Sequence, residues 1–182
     1  MKQALIFLAE GFEEIEAVTP LDLLRRAGVD AKFVSLTGNL AVTGAHGITY
    51  HADMLFAHDI AQQADMLILP GGMPGAEHLQ NHTALGKLLL EFDAAKKFVC
   101  AICAAPMVLG HLGILKGKKA TIYPGMESRL IGAEAVTDKV CRDGHIITSQ
   151  APATAMLFTL SLIAALEGEE TAQRIKDDIV FG

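Results

Sequence analysis

The chain has no apolar run long enough to cross a membrane. The longest, Thr154 to Leu166, spans 13 residues and includes Thr159 and Ser161, against the roughly 20 residues a spanning helix needs. Nor is there a basic run. Fifteen Lys and Arg stand against 21 Asp and Glu, a formal net charge of −6, and the basic residues gather no further than pairs such as Arg25-Arg26 and Lys118-Lys119. That balance argues against nucleic acid or another polyanion as partner. The first apolar stretch, Ala4 to Ala9, ends at Glu10 and is too short for a secretory signal, so a cytoplasmic protein is expected. The three cysteines, Cys100, Cys103 and Cys141, make an odd count, and with no signal peptide a structural disulfide is not expected. Internal repeats, low-complexity segments and Ser/Gly-rich linkers are also absent.

What remains is a chain of 182 residues, 51% hydrophobic and 20% charged, sized for one domain over residues 1–182 with a substantial core. Three short runs are apolar on both faces: Ala4 to Ala9, Met66 to Leu69, and Phe98 to Ile102. They read as central parallel strands covered by helices on each side, and Ala31 to Leu36 reads as a fourth. Helical patterns lie between and after them: Ile15 to Ala27 closed by Gly28, Ala84 to Ala95, Pro106 to Leu112 closed by Gly113, and Ala153 to Leu166 closed by Gly168. Pro20 predicts a bend or a restart in the first helix, with Thr19 as N-cap and Asp22 at the third position. Val42 to His51 and Val140 to Thr148, the latter turning at Asp143-Gly144, read as hairpins flanking the core. The expected fold is a three-layer α/β sandwich with a mostly parallel sheet.

In such sheets ligands bind beyond the carboxyl ends of the strands. There the sequence sets Glu10-Gly11-Phe12-Glu13-Glu14-Ile15-Glu16, Pro70-Gly71-Gly72-Met73-Pro74-Gly75 and Cys103-Ala104-Ala105-Pro106. Cys103, among small residues at a strand-to-helix transition, has the setting of a nucleophile elbow, and a helix N-terminus would lower its pKa. The alternative is a packed small residue. Cys100, in mid-strand, reads as buried and inert, and Cys141 as structural. Gly71-Gly72 would let two amides face a developing oxyanion, or would simply turn the chain. Glu13 and Glu14 read as first-turn helix acids. Glu16, on the sheet-facing stretch, reads as a half-buried carboxyl able to hydrogen-bond the thiol or move a proton. His78 and His82, spaced i,i+4, would suit a metal only with a third ligand, and none suggests itself; no metal is expected. His111 reads as a residue of the helix C-terminus.

Four motifs in order, Leu8 to Glu16, Leu69-Pro70-Gly71-Gly72, Ala101-Ile102-Cys103-Ala104-Ala105-Pro106 and Thr148-Ser149-Gln150-Ala151-Pro152, make the whole chain resemble the DJ-one/ThiJ/PfpI superfamily. The match is nearest to the DJ-one/ThiJ branch. The resemblance implies a flavodoxin-like, class I glutamine amidotransferase-like sandwich, usually a homodimer, with a protonated Glu16 bonded to Cys103 and the amides of Gly72 and Ala104 around a bound oxyanion or an oxidised sulfur. Two departures bear on activity. Ala104 stands where the protease-like branch has a histidine, so neither a peptidase nor an amidotransferase is expected. Tyr123, in Thr121-Ile122-Tyr123-Pro124, stands where many DJ-one members carry a histidine near the thiol, as in bacterial members that lack it, and would donate a hydrogen bond instead. The activity implied is a cofactor-independent, cysteine-dependent glyoxalase or protein deglycase acting on small dicarbonyls such as methylglyoxal or on glycated proteins. The alternative is a redox sensor or holding chaperone switched by oxidation of Cys103. An enzyme of thiazole or phosphosugar metabolism, suggested by the ThiJ name alone, ranks last.

Overall fold

The computed structural model describes residues 1–182. The chain opens with β1 (Gln3–Leu8), α1 (Glu14–Arg26) and β2 (Asp30–Ser35), then a small hairpin of β3 (Ala41–Thr43) and β4 (Thr49–His51). Next come β5 (Met54–Leu55), α2 (His58–Ala61), β6 (Met66–Leu69), α3 (Gly75–Asn81), α4 (Thr83–Ala94), β7 (Phe98–Ile102) and α5 (Pro106–His111). The remainder is β8 (Lys119–Ala120), β9 (Glu134–Ala135), β10 (Val140–Asp143), β11 (Ile146–Ser149), α6 (Ala155–Glu167) and α7 (Glu169–Asp178).

Seven strands form one sheet in the order β10-β11-β7-β6-β1-β2-β5, parallel throughout except for β10. Because side chains alternate across a pleated strand, each central strand feeds two cores. Leu5, Phe7, Leu67, Leu69, Val99 and Ala101 point to one face, where Leu85, Leu88, Leu89 and Phe92 of α4 and Met107, Val108 and Leu109 of α5 cover them. Ala4, Ile6, Leu8, Met66, Ile68, Cys100 and Ile102 point to the other, against Leu23 and Leu24 of α1 and Phe158, Leu162 and Ile163 of α6. This is the flavodoxin-like three-layer arrangement. Both faces are sealed, which is why the central strands read as unbroken apolar runs.

Three sequence expectations change. Helix α1 does not restart at Pro20: it runs unbroken from Glu14, capped by Glu13, whose Oε2 accepts the Glu16 amide at 2.8 Å. Asp22 instead pairs with Arg26 one turn on. The hairpin at Asp143-Gly144 does not merely flank the core, because β11 pairs in parallel with β7 and is buried along its length. Helices α3 and α7 lie outside the helices expected from the sequence, and each buries few side chains. Apart from its first two residues, α3 buries only Leu79, and α7 buries only Ala172 and Ile175.

Candidate functional site

Four strand ends meet beside Cys103. The residue occupies the turn between β7 and α5 with φ +62°, a left-handed conformation disfavoured for any side chain larger than hydrogen. Two backbone bonds hold it there: its N–H donates to the Ser149 carbonyl at the end of β11, and its own carbonyl accepts the Tyr123 N–H, both at 2.9 Å. A conformation costing on the order of 1–3 kcal/mol persists only when its surroundings over-determine it, and these two bonds do so.

Glu16 comes from the first turn of α1 and is fully buried. Its Oε2 accepts the Gly71 N–H at 2.8 Å; Oε1 makes no hydrogen bond, and the Cys103 thiol lies beside the carboxyl, close enough for each to shift the other's titration. Gly71 has to be glycine, since a Cβ there would lie 2.7 Å from the Cys103 Cβ and 2.8 Å from Glu16 Oε2. Gly72, at φ +87°, packs as tightly: a Cβ would meet the Glu13 amide nitrogen at 2.5 Å. The main-chain N–H groups of Ala104 and Gly72 both point at the sulfur. Cys103, Glu16, Gly71, Gly72 and Ala104 are thus brought together.

The electrostatics of the pair follow from burial. Removal from water pushes the Glu16 carboxyl up to about 7, opposed by the neighbouring Cys103 and the bond to Gly71 and assisted by the negative charge of Glu13. Burial likewise pushes the Cys103 thiol up to about 12, with the charge of Glu16 adding to the effect and the Ala104 and Gly72 amides pulling the other way. The expected lowering of the thiol is therefore reversed. Helix α5 has only six residues, and its dipole together with two amides does not offset burial beside a carboxylate. At neutral pH the resting pair is a thiol beside a carboxyl poised between its two protonation states.

Tyr123 stands at the elbow. Its main-chain N–H holds the elbow, its ring is half-exposed, and its hydroxyl makes no hydrogen bond. Cys100 is fully buried with its thiol pushed well up by burial, and Cys141 is buried on β10. His78 and His82 line one surface pocket with Glu10 and Thr37, yet each ring already has a partner. The first bonds the Glu10 carbonyl through Nδ1, and the second uses Nδ1 to accept the Leu85 amide as the N-cap of α4.

Sequence reasoning missed the role of Glu14. It is buried, and its Oε1 accepts the main-chain N–H of His46 at 2.8 Å while Oε2 lies 2.8 Å from His46 Nδ1. With Gly11 donating to Thr43 and Ala45 to Phe12, both at 2.8 Å, it straps the β3–β4 hairpin to the start of α1. Burial works against the charge of Glu14, but the bonds from His46 outweigh it and hold the carboxyl below its usual range. The ligand atoms of Glu13, Glu14 and His46 lie within 4.8 Å of one another, yet both oxygens of Glu14 are already engaged, so the group is explained as a clasp. An isolated Glu in a first helical turn carries no sequence signal of a partner 32 residues away.

Comparison with known proteins agrees with this geometry. Protein DJ-1 homolog B of Arabidopsis thaliana is 39% identical over 99% of this chain and 42% of its own length, and homolog A is 39% identical over 99% and 47%. The chain thus spans about half the length of these plant relatives. Protein dj-1beta of Drosophila melanogaster is 35% identical over 96% of this chain and 94% of its own. Among solved structures, oxidised Toxoplasma gondii DJ-1 superposes with TM-score 0.94 at 34% identity and full coverage of both chains. Drosophila melanogaster DJ-1beta does so with TM-score 0.93 at 34% identity, covering 100% of this chain and 98% of that one. The model of the DJ-1/PfpI family matches residues 2–165, and the chain belongs to the DJ-1/PfpI family.

Proposed function

We propose that the protein is a cofactor-independent glyoxalase or deglycase, with Cys103 as nucleophile and Glu16 as the group that moves protons. The observation that carries this reading is the buried Glu16 carboxyl, anchored by Gly71 beside the Cys103 thiol, with a pKa of about 7. A group that loses and regains a proton near neutrality suits general acid–base work. As the Cys103 sulfur adds to the aldehyde carbon of methylglyoxal, Glu16 accepts the thiol proton and delivers it to the carbonyl oxygen, giving a hemithioacetal. Glu16 then takes the C1 proton and returns it to C2 through an enediol, while the hydroxyl proton passes between the two oxygens. The product is a lactoyl thioester. Water adds to it, the C–S bond breaks, lactate leaves and the thiol is restored, so dicarbonyl plus water becomes the hydroxy acid. Ala104 and Gly72 supply amides for the oxyanion of the thioester step.

Lacking a histidine at the thiol, the enzyme is expected to turn over slowly. It would act in the cytoplasm as a homodimer, and Ile15 and Ile48, half-exposed beside Pro152, offer apolar area for a second copy. A second reading is favoured by the two amides aimed at the sulfur, which would equally stabilise a sulfinate formed with two equivalents of peroxide. One solved relative is described as oxidised DJ-1. The test is methylglyoxal consumption and lactate formation by wild type, Cys103→Ser and Glu16→Ala, with intact mass after mild peroxide. Turnover lost in Cys103→Ser supports the enzyme; no turnover, with Cys103 alone gaining two oxygens, supports the sensor.

A further inference from the structure

The backbone of Cys103 belongs to a closed ring of hydrogen bonds. Its N–H donates to the carbonyl of Ser149, the last residue of β11, and its own carbonyl accepts the Tyr123 N–H. Shortly before Tyr123, the Thr121 N–H donates to the hydroxyl oxygen of Thr148 at 3.0 Å, and Thr148 directly precedes Ser149. The ring thus runs from Cys103 to Ser149, back to Thr148, across to Thr121, along to Tyr123 and back to Cys103. A single side chain, that of Thr148, completes it. Thr121, Thr148 and Ser149 are all fully buried. The Ser149 hydroxyl is engaged elsewhere, donating to the Lys139 carbonyl at 2.7 Å and meeting Thr154 Oγ1 at 2.6 Å, and Thr121 Oγ1 has no partner.

Successive residues of a strand face opposite sides of the sheet. Thr148 pairs with Ala101 and so faces the side covered by α5, where Ala120 and Ile122 also pack. Strand β8, just ahead of Thr121, pairs with β9 in a separate ladder, so residues 121–123 are tied to the main sheet and the elbow by their bonds to Thr148 and Cys103. Those bonds matter to the sulfur because a peptide unit is planar. Holding the Cys103 N–H orients the plane before its Cα, and holding its carbonyl orients the plane after it. Together they set φ and ψ, and with them the direction of the Cα–Cβ bond that carries the sulfur. In a trans peptide the N–H points opposite to the carbonyl, so the bond from Tyr123 to the Cys103 carbonyl also aims the Ala104 N–H, which faces the sulfur.

Resting on the reading in which Cys103 is the reacting group, we infer that Thr148 is a positioning residue for it: the Thr148 hydroxyl oxygen closes the ring that points the sulfur toward Glu16 and the Ala104 amide toward the sulfur. Without that oxygen the Thr121 N–H is left buried and unpaired, a cost the chain relieves by letting residues 121–123 move off the sheet. The Cys103 carbonyl then loses the Tyr123 N–H, and the left-handed elbow, disfavoured in itself, relaxes.

Three variants test this. Thr148→Val keeps the shape of the side chain and removes the oxygen, Thr148→Ser keeps the oxygen, and Thr121→Val makes the same change at an equally buried hydroxyl that takes no part in the ring. Each is compared with wild type by the pH profile of iodoacetamide labelling, in which the thiolate displaces iodide, followed by intact mass with Cys103→Ser subtracting the other thiols. In Thr148→Val the thiol is expected to titrate below about 12, because burial and the charge of Glu16, the larger effects upon it, weaken as the elbow relaxes. Labelling near neutrality then quickens by about tenfold or more, while Thr148→Ser and Thr121→Val keep the wild-type profile. A Thr148→Val profile superimposed on wild type, one that Thr121→Val matches, or one that Thr148→Ser fails to restore overturns the inference. Should Thr148→Val not fold, hydrogen exchange in the wild type decides: the Cys103, Thr121 and Tyr123 amides, closing one ring, should share one degree of protection, and a Thr121 amide about tenfold less protected than that of Cys103 overturns it. Methylglyoxal turnover by wild type tests the enzyme reading separately: absent turnover with the Thr148 effect intact sinks that reading and leaves the positioning role standing.

Discussion

Gly71 donates its amide to Oε2 of Glu16 at 2.8 Å, joining the end of β6 to a carboxyl 55 residues earlier in the chain. The bond fixes the carboxyl beside the Cys103 sulfur, and the missing Cβ is what lets the two come that close.

Gly71→Ala is therefore expected to damage the site out of proportion to its size. The new methyl would collide with Cys103 and Glu16, and overpacking of this kind costs about 1–3 kcal/mol. Thermal melting would register the loss, and the alkylation rate of Cys103 should change with it. An unchanged melting point together with an unchanged alkylation profile would contradict the packing described here.

Glu16→Gln removes the negative charge that adds to burial in raising the thiol. Its apparent pKa should fall from about 12 while staying above that of a free thiol, because burial persists. The pH profile of iodoacetamide labelling reads this directly. Turnover should be lost at the same time, so that the thiol becomes easier to ionise and the enzyme slower.

Stability should carry the mark of Glu16 as pH changes. Its folded pKa of about 7 lies above the ordinary 4.5, so between those values the folded state binds the extra proton. The contribution is fully present below 4.5 and is lost as pH rises through about 7, in total on the order of 3 kcal/mol. Denaturant midpoints across this window should slope downward in wild type, and the slope should flatten in Glu16→Gln. Parallel curves for the two proteins would be the failing outcome.

Glu14→Ala unstraps the hairpin from α1. The main-chain N–H of His46 loses its acceptor, and a bond to a charged group contributes about 1.5–3 kcal/mol. Hydrogen exchange should accelerate over residues 44–48 more than in the sheet, with Cys103 labelling affected through the neighbouring Glu13. Exchange confined to its wild-type pattern would show that the clasp does not hold the hairpin.

Much of the fold was legible because its causes are local. β1, β6 and β7 are apolar on both faces since both are covered, α1 and α4 show their stripes, and Gly28 and Gly113 mark helix ends. Cys103 could be picked out by its small neighbours and its place after a strand, and Glu16 by its position on the sheet-facing side of α1. Less was legible where burial was sparse, as in α3 and α7, or where a single residue acts through a distant partner, as Glu14 does through His46.

The sequence by itself determined the alternation of strands and helices, the family, and which edge of the sheet bears the thiol and the acid, because periodicity and motif order are properties of neighbouring residues. Only the tertiary structure decided that α1 runs through Pro20, that the Tyr123 main-chain N–H holds the cysteine elbow, and that burial beside Glu16 raises the Cys103 thiol and does not lower it. Protonation depends on dehydration and on charges brought within a few ångströms by folding, and neither is written in the spacing of residues along the chain.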